Sequence, residues 1–327
     1  MSLVLPLLGA ICFVSSIAYP YPSRREIQPS LLNHFVLFAQ YSVASSCTVN
    51  HNISTGEHPV YCDEAYCSLL KAANTEVLYA FQDIFPGDTA GFIAVDHTDD
   101  LLVLSFRDTV SKANGQTDMG YLQVDASTAC QGCKAHAGFW TAIGAALINL
   151  SRALEDARAR YPSHRLVLTG HSLGGALATL YAVLLRVRGV YVDLYTFGAP
   201  SVRNRAFARA ITTEWQGLGA NYRVTHADDK TPKILYRASR AAVAGLVVPE
   251  YSQSSPENWI TSGNGESVSI QDVQVIEGVN NEAGNLGRDW GNIRDHSWYF
   301  GGYQSMCGSI ACLANDPGTV PKGVWGN

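Results

Sequence analysis

The chain reads as an α/β protein built on a parallel sheet, and three observations predict this. Short apolar runs bounded by turn residues alternate with longer segments of helical spacing. The run Asp100-Leu101-Leu102-Val103-Leu104-Ser105-Phe106 is apolar almost throughout, as in a buried strand. The strand-like run that starts at Arg165 ends at Gly170, and a helix-forming run starts at Gly175, with only a sharp turn between them. In order, Pro29 to Ala44 has the spacing of an N-terminal helix. Val77 to Phe81 and Thr89 to Asp96 resemble strands and precede the Leu101 strand. His136 to Tyr161 reads as a long helix that Pro162 ends. The Leu166 strand, the Ala176 to Arg188 helix and the Val190 to Phe197 strand follow. The series closes with a helix over Ala206 to Trp215 and a strand over Asn221 to His226. Strands alternating with helices imply helices on both faces of the sheet. No repeat, linker or break in composition divides residues 26–327, so one domain is expected.

Composition narrows the function. With 47% hydrophobic and 16% charged residues over 327 positions, the chain has ample material for a core and is not of the disordered class. A net charge of -5 without a basic face points away from nucleic acid. Leu3 to Ile17 is apolar and Ser16-Ile17-Ala18 fits a small-x-small cleavage site, so residues 1–18 read as a signal peptide. Arg24-Arg25 marks either the end of a short propeptide, residues 19–25, or two exposed arginines. The leader is shorter than a spanning helix needs and Pro6 breaks it. No integral membrane segment is expected after its removal, and the protein is expected outside the cell.

Cysteine usage fits that address. Cys12 leaves with the leader, and Cys47, Cys62, Cys67, Cys130, Cys133, Cys307 and Cys312 remain. Cys62/Cys67 and Cys130/Cys133 are spaced for local loops, Cys47 is placed to tether Cys307, and one cysteine is left over. A zinc reading of Cys130-Gln-Gly-Cys133 needs a second ligand pair, which His136 alone does not supply. Asn52-Ile53-Ser54 and Asn149-Leu150-Ser151 are glycosylation acceptors by pattern. The second falls on a predicted helix, where burial would close it.

The chemistry centres on Gly170-His171-Ser172-Leu173-Gly174. In a strand–turn–helix setting a G-x-S-x-G serine is lifted clear of the sheet as a nucleophile, and side chains at 170 or 174 would collide with their neighbours. The helix that follows aims its first N–H groups at an oxyanion formed there. Such a serine needs a base, and the base needs a carboxylate, in the chain order Ser, acid, His. Two histidines follow Ser172. His226 comes too early to leave room for an acid before it, so His296, set among aromatics, is the better base. Asp228 and Asp229 both follow the Asn221 strand at its carboxyl end, where α/β sites gather, and adjacent residues point differently. One of them serves. The backbone N–H of Leu173 is one oxyanion donor, and the loop Ser105-Phe106-Arg107-Asp108-Thr109 can supply the second.

With these motifs in hand, the chain resembles the secreted fungal lipases, the class 3 lipases, which include feruloyl esterases. The resemblance rests on Leu37-Phe38-Ala39-Gln40-Tyr41, Ser105-Phe106-Arg107, Cys130-x-x-Cys133 with Gly138-Phe139, and the Ser172 pentapeptide. It continues through Thr196-Phe197-Gly198-Ala199-Pro200-x-Val202-x-Asn204, Tyr251-x-x-Ser254-Ser255-Pro256-Glu257-x-Trp259 and His296-x-Trp298-Tyr299-Phe300. It implies an α/β-hydrolase fold with a central, mostly parallel sheet, and Ser172, Asp229 and His296 as nucleophile, acid and base. Thr109 matches the oxyanion position, with Leu173 as the other donor. The disulfides implied are Cys47–Cys307, Cys62–Cys67 and Cys130–Cys133, with Cys312 outside the pattern. No cofactor and no metal are expected. Where the family usually has glycine, this chain has Asp108, an extra carboxylate near the oxyanion hole.

The family covers its site with a short helix after the oxyanion residue. Here Val110 to Gly120 has little apolar face and two glycines, nearer to the polar flap of the feruloyl esterases, so interfacial activation is expected to be weak. Its length from Thr109 to Cys130 suits a lipase. Ala241 to Pro249 is apolar and is either an acyl groove or core. The expected activity is hydrolysis of acylglycerol esters at a lipid–water interface. An esterase for soluble or aryl esters is the alternative, and a silent lipid- or carbohydrate-binding protein is the reading from another class.

Overall fold

The computed structural model describes residues 26–52, 57–62, 66–108, 120–241, 247–300 and 302–303. Its centre is an eight-stranded sheet in the order β1-β2-β3-β6-β7-β8-β9-β10. The strands are β1 (Thr75–Ile84), β2 (Thr89–Asp96), β3 (Leu101–Phe106), β6 (Arg165–His171), β7 (Asp193–Phe197), β8 (Asn221–His226), β9 (Glu257–Ile260) and β10 (Val273–Ile276). Two small sheets pair β4 (Gln123–Asp125) with β5 (Lys134–His136) and β11 (Trp298–Tyr299) with β12 (Gly302–Tyr303).

From β3 to β9 every pairing is parallel. The connections run through helices, α4 (Ala137–Arg160), α5 (Ser172–Val187), α6 (Arg205–Thr213) and α7 (Ile234–Arg240), as parallel neighbours require. The edges depart from the parallel expectation. β1, β2 and β3 pair antiparallel, as does β9 with β10. The turns joining β1 to β2 and β2 to β3 are a few residues each, too short for a crossover. β1 is also longer than the sequence suggests, because register shifts after Val77 and Phe81 break its alternation while pairing continues.

The unalternating apolar runs are explained by cover on both faces. Leu102, Leu104, Phe106, Leu166 and Leu168 pack with α4, α5 and α6 residues such as Phe139, Leu177 and Phe207. Leu101, Val103, Val167, Tyr195 and Phe197 point the other way, onto Phe35, Phe38 and Tyr41 of α1 (Pro29–Ala44). Two short helices, α2 (Thr48–His51) and α3 (Ser68–Ala72), complete that side. Cys62 is bonded to Cys67 and Cys130 to Cys133, which removes the zinc reading of the second pair. Cys47 is also disulfide-bonded, and its partner, like Cys307 and Cys312, lies outside the described residues. Asn149 sits on α4 as expected but on its exposed side, so burial does not close that acceptor. Among the described residues no helix is long and apolar enough to cross a membrane. The leader, Arg24-Arg25, Ile53-Ser54 and the Val110 to Met119 stretch lie outside the described residues.

Candidate active site

The parallel strands end on one side of the sheet, and their carboxyl ends carry the candidate residues. β6 ends at His171, and Ser172 opens α5 with φ +50°, a left-handed conformation rare for a residue with a Cβ. The neighbouring glycines permit it. A Cβ at Gly170 would lie 2.4 Å from the carbonyl carbon of Gly174, and one at Gly174 would lie 2.2 Å from the carbonyl oxygen of Phe106. The second contact packs α5 directly on the end of β3, the strand that leads to Arg107 and Asp108. Leu173 follows Ser172 in the first turn of α5, buried. Thr109 lies outside the described residues.

Which aspartate is brought in depends on one tight turn. β8 ends at His226, and Ala227 takes φ +38° as the Asp229 N–H bonds back to the His226 carbonyl at 2.9 Å. This sends the two carboxylates apart. Asp228 goes outward to Arg288, Oδ1 to Nε 2.8 Å, both partly exposed. Asp229 goes inward and is fully buried. Its Oδ2 accepts from His296 Nδ1 at 3.0 Å and from the Tyr299 hydroxyl at 2.7 Å, while Oδ1 accepts from the Thr231 N–H at 2.8 Å.

His296 rides on α8 (Ile293–Ser297), a helix capped by the Asn292 side chain accepting from the Asp295 N–H. Its Nε2 lies 2.9 Å from Ser172 Oγ, so Ser172, His296 and Asp229 form one unbroken hydrogen-bonded line. Burial by itself pulls the His296 imidazole down. The Asp229 carboxylate, through charge and hydrogen bond, and the Asp108 charge beyond it outweigh this and hold it above its ordinary value. Burial, followed by the charge of Asp229, pushes the Tyr299 phenol far up, so it remains a donor. Gly198, at the end of β7 with φ +59°, forms the back of this pair. A Cβ there would sit 2.8 Å from Asp229 Oδ2 and 3.0 Å from His296 Cε1.

Three residues beyond those picked out in the sequence take part. Tyr299 and Gly198 lay within recognised motifs but without a role. His171 lay beside the serine, and its contacts are long-range: Nδ1 to Asp108 Oδ2 and Nε2 to the His296 carbonyl, each 2.8 Å. The Asp108 carboxylate is therefore turned onto His171. His226, discarded as a base, bonds the Asp295 carbonyl at 3.0 Å and the Ser262 carbonyl at 2.9 Å. Of the Ala241 to Pro249 block, residues 242–246 are outside the described residues, while Val247 is 94% exposed, which removes core packing at that end.

The model of the family Lipase (class 3) matches residues 103–238. The secreted mono- and diacylglycerol lipase A of Penicillium cyclopium is 35% identical over 298 residues, spanning 89% of this chain and 92% of that protein. The chain belongs to the class 3 lipase family. A second relative, the secreted mono- and diacylglycerol lipase 1 of Fusarium solani, is 32% identical across 95% of this lipase and 91% of its own length. The crystal structure of the mono- and diacylglycerol lipase from Aspergillus oryzae superposes with a TM-score of 0.74 at 33% identity, covering 84% of this chain and 98% of that one. This class 3 lipase is an α/β hydrolase and a carboxylic ester hydrolase.

Proposed function

We propose that the chain is a secreted lipase that cleaves acylglycerols, partial glycerides foremost, through an acyl-enzyme. The observation that carries this is the Asp229–His296–Ser172 line, with contacts of 3.0 and 2.9 Å at the carboxyl ends of the parallel strands. Ser172 Oγ attacks the ester carbonyl carbon and His296 Nε2 takes its proton. Asp229 keeps the imidazole in the tautomer that can accept and stabilises the imidazolium. The carbonyl oxygen becomes an oxyanion held by the Leu173 backbone N–H at the start of α5, with Thr109 as the second donor. His296 returns its proton to the departing glycerol oxygen. Water then attacks the acyl-Ser172, giving a proton to His296, and His296 passes that proton to Ser172 Oγ as the acyl bond breaks and the fatty acid leaves. No step needs a metal or cofactor as co-reactant.

Partial glycerides are favoured because the Penicillium cyclopium and Fusarium solani relatives, at 35% and 32% identity, are named for them. Their names, the leader at residues 1–18 and the disulfides support secretion. Initial rates on emulsified mono-, di- and triacylglycerol and on methyl ferulate test the substrate class. Partial glycerides should be cleaved fastest, and a preference for methyl ferulate would overturn the lipid reading. A serine-reactive phosphonate should label Ser172 and stop turnover. Undiminished activity of Ser172→Ala would overturn the assignment.

A further inference from the structure

Asn149-Leu150-Ser151 has the pattern of an N-glycosylation acceptor, and the fold leaves its asparagine open. Asn149 lies on the exposed side of α4, and beside it Ile148 is 72% exposed. Asn149 also stands at the head of a groove of about 330 Å³ between α4 and β1, the strand at the edge of the sheet. Two local features make this groove. Along α4, Asn149, Arg152, Ala153 and Asp156 fall at spacings of three and four, so they line one face. Side chains tilt toward the start of a helix, so Arg152 and Ala153 lean back toward Asn149. Opposite them, the register of β1 shifts between Val77 and Tyr79, leaving Leu78 as an extra residue in the pairing with β2. Leu78 and Tyr79 therefore both line the groove, half-buried, where strict alternation would have sent one of them away.

We infer that Asn149 carries an N-linked glycan and that its first N-acetylated sugar sits in this groove, over Tyr79. The inference rests on passage through the secretory pathway, which is part of the function proposed above, and not on the ester chemistry. In the transfer, the Asn149 amide nitrogen attacks the anomeric carbon of an oligosaccharide held on a lipid diphosphate. A C–N bond forms, the C–O bond to the diphosphate breaks, the amide gives up one proton and the lipid diphosphate leaves. The finished fold is not the substrate of this step. Ser151, which completes the acceptor pattern, lies within α4 with its hydroxyl 3.3 Å from that of Tyr181 and 3.4 Å from the Arg188 guanidinium. The sugar is therefore added before α4 forms, and what the fold decides is where it comes to lie.

The groove fits a sugar tethered at its head. Its floor of Leu78, Tyr79 and Ala153 packs on the core beneath and offers apolar surface to a pyranose face and an acetyl methyl. Its rim carries Arg152, a donor to hydroxyl and acetyl oxygens, and Asp156, an acceptor for hydroxyl protons. The attachment itself supplies the occupancy. A seat too weak to hold a free sugar is filled when the ligand is bonded at its edge, because the effective concentration there is high. The sugars beyond the first then screen Ile148 and the half-buried Leu78 and Tyr79 at the sheet edge, where strands of other chains would otherwise add. Catalysis is left alone. The groove runs toward Arg160, from which the chain enters the start of β6, and Ser172 stands beyond that strand's other end.

The chain is produced in a yeast host behind a host secretion leader, and occupancy is read by mass spectrometry of the peptide that contains Asn149. That peptide should carry N-acetylhexosamine in the wild type and in Ser151→Thr, and should be bare in Ser151→Ala. The seat is read from Tm. An endoglycosidase that leaves the first sugar should change Tm by less than about 1 °C, whereas an amidase that removes the whole glycan should lower it by about 2–4 °C. Asn149→Gln given the same treatments subtracts any contribution from Asn52. Tyr79→Ala undergoes the same conversion of asparagine to aspartate under the amidase, and there the step in Tm should vanish. Turnover of a soluble short-chain ester by Asn149→Gln and by the deglycosylated wild type should stay within about 2-fold of the untreated enzyme. A bare Asn149 in the secreted wild type would overturn the inference. So would a Tm that full removal leaves unchanged, a loss that appears as soon as the outer sugars are trimmed, or a step that Tyr79→Ala retains. The host leader makes the result independent of the chain's own, and release by residues 1–18 is measured apart, so a failure of the secretion reading and a failure of this inference are distinguishable.

Discussion

Replacing Asp229 by asparagine gives the sharpest test of how the site is wired. The carboxylate accepts three hydrogen bonds: two on Oδ2, from His296 and Tyr299, and one on Oδ1, from Thr231. An amide has only one acceptor oxygen. If that oxygen faces His296 and Tyr299, the NH₂ meets the Thr231 N–H, and a buried donor is left unpaired at about 1–3 kcal/mol. If the amide turns over, two donors lose their acceptor. His296 can then only offer Nδ1 as an acceptor, which puts its proton on Nε2, facing Ser172, where it cannot act as base. In the first orientation the tautomer survives but the charge that stabilises the imidazolium is gone. A hydrogen bond to a charged group is worth about 1.5–3 kcal/mol, so kcat falls roughly 10- to 150-fold. In the second the loss approaches about 10⁴-fold. The pH profile distinguishes this from general damage. Burial lowers the His296 pKa and Asp229 is the main influence raising it. His296 must be neutral to accept the Ser172 proton, so wild-type activity rises with pH through this elevated value. Without the carboxylate the acid limb of kcat/KM should move to lower pH while kcat drops. Asp228→Asn is the control. It loses only a partly exposed ion pair with Arg288, worth about 0–1 kcal/mol at such sites, and turnover should change less than about 2-fold. Initial rates on a soluble ester from acid to neutral pH decide the matter. An Asp228→Asn enzyme as impaired as Asp229→Asn, or an acid limb moving upward in the latter, would refute the reasoning.

Three further outcomes are expected. Gly198→Ala places a methyl 2.8 Å from Asp229 Oδ2 in a left-handed conformation, and kcat on a soluble ester should fall by on the order of 10²-fold with KM little changed; near wild-type turnover would mean that the pair has room to shift. Tyr299→Phe removes a buried donor to the carboxylate and should cost about 1.5–3 kcal/mol in denaturant unfolding, with a smaller effect on kcat than Asp229→Asn. Non-reducing peptide mapping should find Cys47 joined to Cys307, and a Cys47–Cys312 peptide would replace that pairing.

The sequence carried the elbow because its constraint is local: the glycines at 170 and 174 are demanded by backbone contacts a few residues away or on the adjacent strand. The ordering of nucleophile, acid and base was legible for the same reason, as a rule of chain order. What could not be read is what a single backbone angle decides. Asp228 and Asp229 are neighbours of one chemical type, and only the left-handed Ala227 and the turn it makes sort them into surface and site. Asp108 could be seen to be unusual but not aimed, because its partner His171 comes from another strand, 63 residues on. The antiparallel edges of the sheet are set by turn length and register, which apolar patterning does not encode. Asn149 was placed on its helix, but which side of the helix it takes was left open, since one residue of phase rotates a side chain by about 100°.

The base is carried by a helix of only five residues, too short to persist unaided, and lies 124 positions beyond the serine it serves. Two imidazoles from the ends of different strands, His226 and His171, clasp the successive carbonyls of Asp295 and His296. The segment therefore has no shape of its own to bring to the reaction. It takes its shape from the finished sheet. Without this segment the sheet holds the serine and the acid but no base. Ester cleavage should therefore be lost when this five-residue helix lets go, before the core behind it has yielded.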